Sequence, residues 1–242
     1  MMRPCLAMAL LALASTSALA APTVDDFQTW GNVTLTGSLG KLTGDTALNK
    51  WLYWGEWQGR FGDNSSRLSQ TIVRPGLGYQ ISDSLSLWAG YAWVPTGEPF
   101  ITSSRDLNEQ RIWQQLLWKQ SFAPGDAQLR TRMEERYTVG SQVGWRFRQL
   151  AKYWYNLPFA PDFGIVAADE IFVNLNSVTY GAHNTVALED GFDQNRAFLG
   201  LGYKATKEIR LELGYMNQTI SKYNKADRMD NILGINIFMN YF

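Results

Sequence analysis

Apolar residues recur at every second position in several separate stretches of this chain. In the segment 85–93 the odd-numbered positions hold Leu, Leu, Ala, Tyr and Trp, and the odd positions of 209–215 and 233–241 repeat the pattern. A period of two places alternate side chains on opposite faces of a β-strand. The sequence therefore predicts an all-β fold whose strands are apolar on one face.

The opposite face of these strands carries charge. In the segment 129–138 the even-numbered positions hold Arg, Arg, Glu, Arg and Thr. A soluble sandwich with an aromatic core is one reading, but charge repeated strand after strand fits the polar lumen of a membrane barrel better. The mean hydropathy of −0.23 is compatible with such a barrel, because only alternate residues must be apolar. We predict a transmembrane antiparallel β-barrel.

The first twenty residues have the organisation of a bacterial export signal. Arg3 precedes an apolar stretch, 5–13, and small residues end at 18–20 in an Ala-Leu-Ala cleavage site. The alternative, an anchoring helix, is disfavoured because the apolar stretch is shorter than the ~20 residues that span a bilayer. We expect residues 1–20 to be a signal peptide and residues 21–242 to form one outer-membrane β-barrel domain. Cys5 is the single cysteine, so the exported chain would hold no disulfide.

The number of strands is constrained by the turns. Ser82-Asp83 and Thr206-Lys207 are typical of short periplasmic turns, and two strands after Thr206 would put Phe242 in the periplasm. Bacterial barrels have an even number of strands. We therefore predict about twelve strands, with ten as the alternative, although the candidate segments number eleven: 27–39, 50–61, 66–81, 84–95, 108–121, 127–139, 142–156, 163–175, 192–204, 207–219 and 229–242.

Three longer connections, 96–107, 176–191 and 220–228, are polar and are expected on the outer side of the membrane. Aromatic residues make up 14% of the chain, enough for two interfacial girdles. The predicted girdle residues are Trp51, Tyr53, Trp57, Trp93, Trp118, Trp145, Trp154 and Tyr215. The expected partners are outer-membrane lipid and, through the last strand ending at Phe242, the barrel-assembly machinery.

Six segments give the chain a resemblance to a known family. They are Arg74–Tyr79, Gly90–Trp93, Glu109–Arg111, Arg130–Arg136, Phe192–Arg196 and Leu211–Gln218. In order and spacing they resemble a family of uncharacterised bacterial outer-membrane proteins, domain-of-unknown-function family 2490, over most of the chain. The resemblance implies a porin-like β-barrel and brings no established activity, cofactor or catalytic residue.

The alternation also predicts which charged side chains face the lumen. They are Glu56, Arg60, Arg74, Glu109, Arg111, Arg130, Arg132, Glu134, Arg136, Arg146, Arg148, Glu170, Arg196, Arg210 and Glu212. Guanidinium groups keep their charge and pair with carboxylates in fixed geometry. Two interpretations follow, since the lumen of a barrel of this size is narrow. The side chains form a salt-bridge network that fills it, or they line a small electropositive pore.

The pore interpretation requires arginine to outnumber carboxylate locally. This holds if the segments 127–139 and 142–156 are neighbours, because Glu134 alone would face the lumen with their arginines. Such a pore would favour a small anionic solute. The candidate lumen and selectivity residues are Arg130, Arg132, Glu134, Arg136, Arg146, Arg148, Glu170 and Arg196. The paired glycines of 76–78 and 200–202 lie inside strands and are interpreted as relieving crowding on the lumen face or allowing close backbone approach.

Other function classes have less support. Loss of Arg3 would leave 21 basic and 22 acidic residues, so net charge does not favour nucleic acid. Catalysis usually requires a base, most often His, and the one histidine is His183 in the loop 176–191. We predict no enzyme, no metal site and no cofactor.

We predict a bacterial outer-membrane barrel acting as a narrow, anion-leaning, porin-like channel. One alternative is a sealed structural barrel or one that binds partners through its loops 96–107 and 176–191. A further alternative is a hydrolase that uses His183 at the rim.

Overall fold

Long strands form wherever the sequence alternates. The computed structural model describes residues 24–100, 107–138, 142–180, 185–222 and 226–242. The predicted signal peptide and His183 therefore lie outside the described residues. The strands are β1 Val24–Ser38, β2 Trp51–Gly62, β3 Arg67–Gln80, β4 Leu85–Thr96, β5 Leu107–Phe122, β6 Gly125–Thr138, β7 Gly144–Leu157, β8 Ala160–Asn174, β9 Val178–Tyr180, β10 Thr185–Leu188, β11 Gly191–Lys204, β12 Ile209–Ile220 and β13 Arg228–Tyr241.

Eleven of these strands close into one barrel, in the order β1 to β8, β11, β12 and β13. All neighbours are antiparallel except β1 and β13, which run parallel from the pair Val24 and Arg228 to the pair Gly37 and Tyr241. The all-β barrel is confirmed, and its strand number lies between the expected twelve and ten. An even number of strands is expected only when the first and last strands pair antiparallel. A parallel closing pair requires an odd number of strands instead.

The two ends of the barrel differ in their connections. At the turn end, defined by 81–84, 123–124, 158–159 and 205–208, the connections are short. The one longer connection at this end holds the helix α1, Leu39–Thr43, and a 3₁₀ turn, Thr46–Leu48, so it supplies no extra strand. At the opposite loop end, β9 and β10 form a small hairpin between β8 and β11. None of the described helices has the length and apolar character needed to cross a membrane.

The barrel is apolar outside and polar inside. Leu199 and Leu201 on the outer face are each 61% exposed, whereas Arg132 and Glu134 on the inner face are fully buried. This arrangement is the reverse of a soluble protein, where charged side chains are almost never fully buried. It follows from the period of two, which sends the apolar residues of each strand outward and the charged ones inward.

One wall of the interior is nevertheless apolar. Trp88 and Trp113 are buried on β4 and β5, and Trp54 of β2 meets them edge to face with ring centroids 5.4 and 6.1 Å away. Glycines make room for these rings. A Cβ atom on Gly78 would lie 2.5 Å from the Trp88 ring, and one on Gly76 would lie 2.5 Å from Trp113. The glycines of 76–78 therefore accommodate interior tryptophans, as the crowding interpretation expects.

One predicted girdle residue is wrong. Trp154 points inward, is 2% exposed and donates a hydrogen bond from Nε1 to Asn156. It lies against Gly164 on β8 and Gly202 on β11, where a Cβ atom would clash with its ring. The sequence prediction placed Trp154 by its nearness to a strand end, but strand parity puts it on the inner face with Lys152.

Candidate functional site

The structure places all eight candidate selectivity residues on the inner face of the barrel. Arg130, Arg132, Glu134 and Arg136 project from β6, Arg146 and Arg148 from β7, Glu170 from β8 and Arg196 from β11. β6 and β7 are neighbours, with Arg132 opposite Arg148 and Glu134 opposite Arg146. The strand register thus brings the whole set together near mid-height. Its role in selectivity stays a prediction.

Glu134 is the centre of this set. Its Oε2 accepts a hydrogen bond of 2.6 Å from Arg146 Nη2, and its Oε1 accepts one of 2.6 Å from Arg148 Nη1. Arg111 and Arg132 approach the same carboxylate at 3.6 and 3.7 Å. One fully buried carboxylate therefore holds four guanidinium groups from three strands. Charge-assisted hydrogen bonds of this kind fix side-chain geometry strongly.

Two further carboxylates hold the arginines on either side. Glu109 of β5 binds Arg136 Nη2 at 2.7 Å and also contacts Arg111. Glu170 of β8 binds the Nη2 atoms of both Arg130 and Arg148 at 2.7 Å. Asp193 of β11 adds a longer contact of 3.4 Å to Arg146. The expectation that Glu134 alone compensates these arginines is therefore wrong, because strands β5, β8 and β11 also supply carboxylates.

Other arginines of the interior are held without a short ion pair. Arg132 donates from Nε and Nη2 to Gln115 Oε1 at 3.0 and 2.6 Å and lies 4.9 Å from the centroid of Trp113. Arg60 and Arg196 both approach the Trp30 ring, at 3.8 and 4.8 Å from its centroid. Amide oxygens and ring faces thus supply the close contacts of these three cations.

We call the combined set the Arg/Glu network. Its described members are nine arginines and five carboxylates: Arg60, Arg74, Arg111, Arg130, Arg132, Arg136, Arg146, Arg148, Arg196, Glu56, Glu109, Glu134, Glu170 and Asp193. The formal charge of the set is +4. Arginine excess therefore exists, spread over the network rather than concentrated on β6 and β7.

A chamber of about 1030 Å³ lies between the network and the turn end. Lys41, Asp83, Lys207 and Phe242 line its mouth, and the network forms part of its inner wall. On the loop side of the chamber the interior is filled. Trp113, Phe172, Arg132 and Glu134 are all 0% exposed at mid-height.

The interior tryptophans and the lysines of the chamber were not among the predicted site residues. Trp54, Trp88 and Trp113 share the parity of the inward-facing positions of their own strands, so parity alone could have found them. The glycine-rich neighbours at 76–78 were the available signal. Lys119 and Lys152 also line the chamber, one on β5 and one on β7.

The described residues offer little chemistry beyond ionic contacts. Among them, no group of three or more His, Cys, Asp or Glu side chains could hold a metal ion. At the loop end, Ser177 Oγ lies 2.5 Å from Asp190 Oδ1, and this hydrogen bond lowers the pKa of Asp190. His183, the residue on which the hydrolase alternative depends, lies outside the described residues.

Comparison with known proteins agrees with the resemblance. A family described as a protein of unknown function, DUF2490, matches residues 27–230. An uncharacterised protein of Methylorubrum extorquens (strain AM1) is 35% identical over 242 residues, covering 98% of this chain and 97% of that protein. The matched range begins in β1 and ends at the start of β13, so it includes the strands between them and the whole Arg/Glu network. The chain belongs to the DUF2490 family.

Proposed function

We propose that this chain is an exported outer-membrane barrel whose lumen is closed by the Arg/Glu network. The apolar outer face is the observation that supports the proposed membrane location. Leu199, Leu201 and Leu213 on the neighbouring strands β11 and β12, and Leu77 on β3, are 55–61% exposed. In water such a surface would favour aggregation, whereas in a bilayer it removes apolar area from solvent.

Glu135 and Asp169 are carboxylates on the outer face of the described strands, and both are hydrogen-bonded. Glu135 accepts from Tyr137 at 2.7 Å and from Gln114 at 3.3 Å, while Asp169 accepts from Asn195 at 3.1 Å. Satisfied polar groups are tolerated far better in an apolar medium than unpaired ones. These positions are therefore compatible with the proposed location.

Orientation follows from the connections. Outer-membrane barrels have short periplasmic turns and longer outer loops. We place the turn end with Phe242 in the periplasm and the loop end with the β9–β10 hairpin outside. The cleaved leader would expose Ala21 as the new amino terminus. The last strand, β13, would be the segment that the assembly machinery meets.

Closure is supported by burial at mid-height. A solute path needs a continuous wet route, but Arg132 and Glu134 are inaccessible, and Trp113, the partner of Glu134 on the neighbouring strand β5, is fully buried beside them. We therefore favour the sealed barrel over the open channel. The narrow anion-leaning channel is a second candidate because the network has an excess of four positive charges, which would select anions if its side chains moved apart.

The deciding experiment is conductance of residues 21–242 refolded into planar bilayers, with heat-modifiable gel migration as the control for a formed barrel. A folded barrel that passes no current supports the sealed state. Discrete steps with an anion-favouring reversal potential would instead support the channel. In that event Arg132→Ala and Arg148→Ala should reduce the anion preference, and unchanged reversal potentials would exclude the network as the selectivity element. Membrane fractionation tests the location separately.

A further inference from the structure

We propose that the turn-end chamber binds a small organic anion. Lysine and arginine side chains near the mouth would hold its oxyanion group, and the interior aromatic rings would hold its organic part. The inference uses the closure proposed above, because a closed inner wall makes the space a pocket and not a passage. It does not depend on the membrane location.

The charge of the chamber is the first support. Among the described residues that line it, ten are basic and five are acidic. Four of the five acids are already paired within the wall: Glu56 with Arg74, Glu170 with Arg130 and Arg148, Glu212 with Lys152, and Asp126 with Arg210. The wall therefore keeps surplus cations after its own carboxylates are satisfied. A low-dielectric cleft of one sign concentrates oppositely charged ligands.

The surplus is accessible at the mouth. Lys119 of β5 and Lys41 of α1 are exposed, and in the described part of the chain no carboxylate approaches either ammonium group within the 4.0 Å of an ion pair. Lys119 Nζ instead lies 5.9 Å from the Phe242 ring. Lys207, in the turn between β11 and β12, is 89% exposed and contacts Glu208 at 3.4 Å. These ammonium groups can turn toward a ligand without breaking a buried pair.

The side chains of the inner wall do not neutralise the excess positive charge of the chamber. The Nε atoms of Arg60, Arg74 and Arg130 are buried and have no hydrogen-bond acceptor in the part of the chain that the structure describes. All three arginines line the chamber. The network thus holds more donors than acceptors on the side that faces the chamber. The buried Nε atoms cannot contact a ligand, but the positive charge of these guanidinium groups would attract an anion into the chamber.

The remaining walls fit an organic part. Trp54 and Trp88 lie edge to face on one side, and Trp154 and Phe238 lie on another, where Arg210 and Lys152 approach their rings at 5.4 and 4.4 Å. Apolar walls with a few convergent charged groups are the usual composition of small-molecule sites, and the volume of about 1030 Å³ is at the upper end of their range. A bare inorganic ion would make no contact with these aromatic rings.

Calorimetric titration of the refolded barrel in non-ionic detergent with phenyl phosphate tests the proposal. Inorganic phosphate and benzyl alcohol serve as the two half-ligands. Phenyl phosphate should bind at least tenfold more tightly than either. Lys119→Gln should weaken it about tenfold, since it removes one charge-assisted contact. Arg67→Gln, which removes the same charge at the loop end, should have no effect.

Equal binding by benzyl alcohol, unchanged binding by Lys119→Gln, or no binding at all would each overturn the proposal, provided that circular dichroism shows a folded barrel. Mass spectrometry of the barrel extracted from membranes identifies the source of the anion in a separate measurement. A phospholipid retained by the wild type and lost in Lys119→Gln identifies a lipid phosphate; phenyl phosphate binding without a retained lipid identifies a soluble anion. Conductance in bilayers would refute the closure of the lumen. The phenyl phosphate titration would still decide whether the chamber binds an anion.

Discussion

Replacing Glu134 with Gln removes the central charge of the Arg/Glu network while keeping the shape of the side chain. The carboxylate has two arginine contacts of 2.6 Å and two longer ones of 3.6 and 3.7 Å. At an effective dielectric constant near 20, each close pair is worth about 4 kcal/mol at ~4 Å between charge centres, or roughly 8 kcal/mol for two. Removing a buried carboxylate recovers several kcal/mol of desolvation, so a net loss of about 3–5 kcal/mol is expected.

The assay is equilibrium unfolding of the refolded barrel in urea, followed by tryptophan fluorescence. With a slope of about 2 kcal/mol/M, the midpoint should fall by about 2 M. Glu98→Gln is the matched control, because Glu98 pairs with Arg67 at the surface, where both side chains are 56% exposed. That change should cost at most about 1 kcal/mol. If both variants unfold at the same midpoint, the buried network does not hold the barrel together and the argument for closure fails with it.

Two other substitutions test the packing and the outer face. Gly78→Ala should destabilise the barrel by about 1–3 kcal/mol, because the added methyl group meets the buried Trp88 ring, whereas Gly55→Ala, with open space around it, should be neutral; thermal unfolding compares them. Leu213→Arg should cost about 2–4 kcal/mol for folding into lipid vesicles, while Leu42→Arg, in the exposed helix outside the strands, should not; equal yields for both would argue against a bilayer around the barrel.

Much of the architecture could be predicted because strand alternation is a local property. The eleven candidate segments coincide with the eleven barrel strands, and the residues predicted to face inward do so, since each strand fixes its own two faces. A total of twelve strands was predicted only because bacterial barrels have an even number of strands. Whether β1 meets β13 in parallel depends on residues about two hundred positions apart, such as Thr36 and Asn240, which no local pattern reports.

The partners within the lumen could not be predicted for the same reason. The Glu109–Arg136 pair depends on the register between β5 and β6, and the Glu170–Arg148 pair on the register between β7 and β8. A shift of two residues would keep every side chain inside and change every pairing. The sequence therefore predicts which side chains lie in the interior, while the register between strands decides how much of their charge is compensated.

The parallel seam has a consequence for rearranging the chain. β1 begins at the loop end with Val24 and β13 finishes at the turn end with Tyr241, so the start of the first barrel strand and the end of the last are separated by the full height of a 14-pair ladder. In an even-stranded barrel both termini emerge on one side, and a few residues can join them. Here a circular permutant would need a linker that crosses the barrel, about 35 Å for strands tilted near 40°, or at least ten extended residues. Such a linker would run through the lumen, which the Arg/Glu network fills, or along the apolar outer face, where its backbone polar groups would lie against apolar side chains.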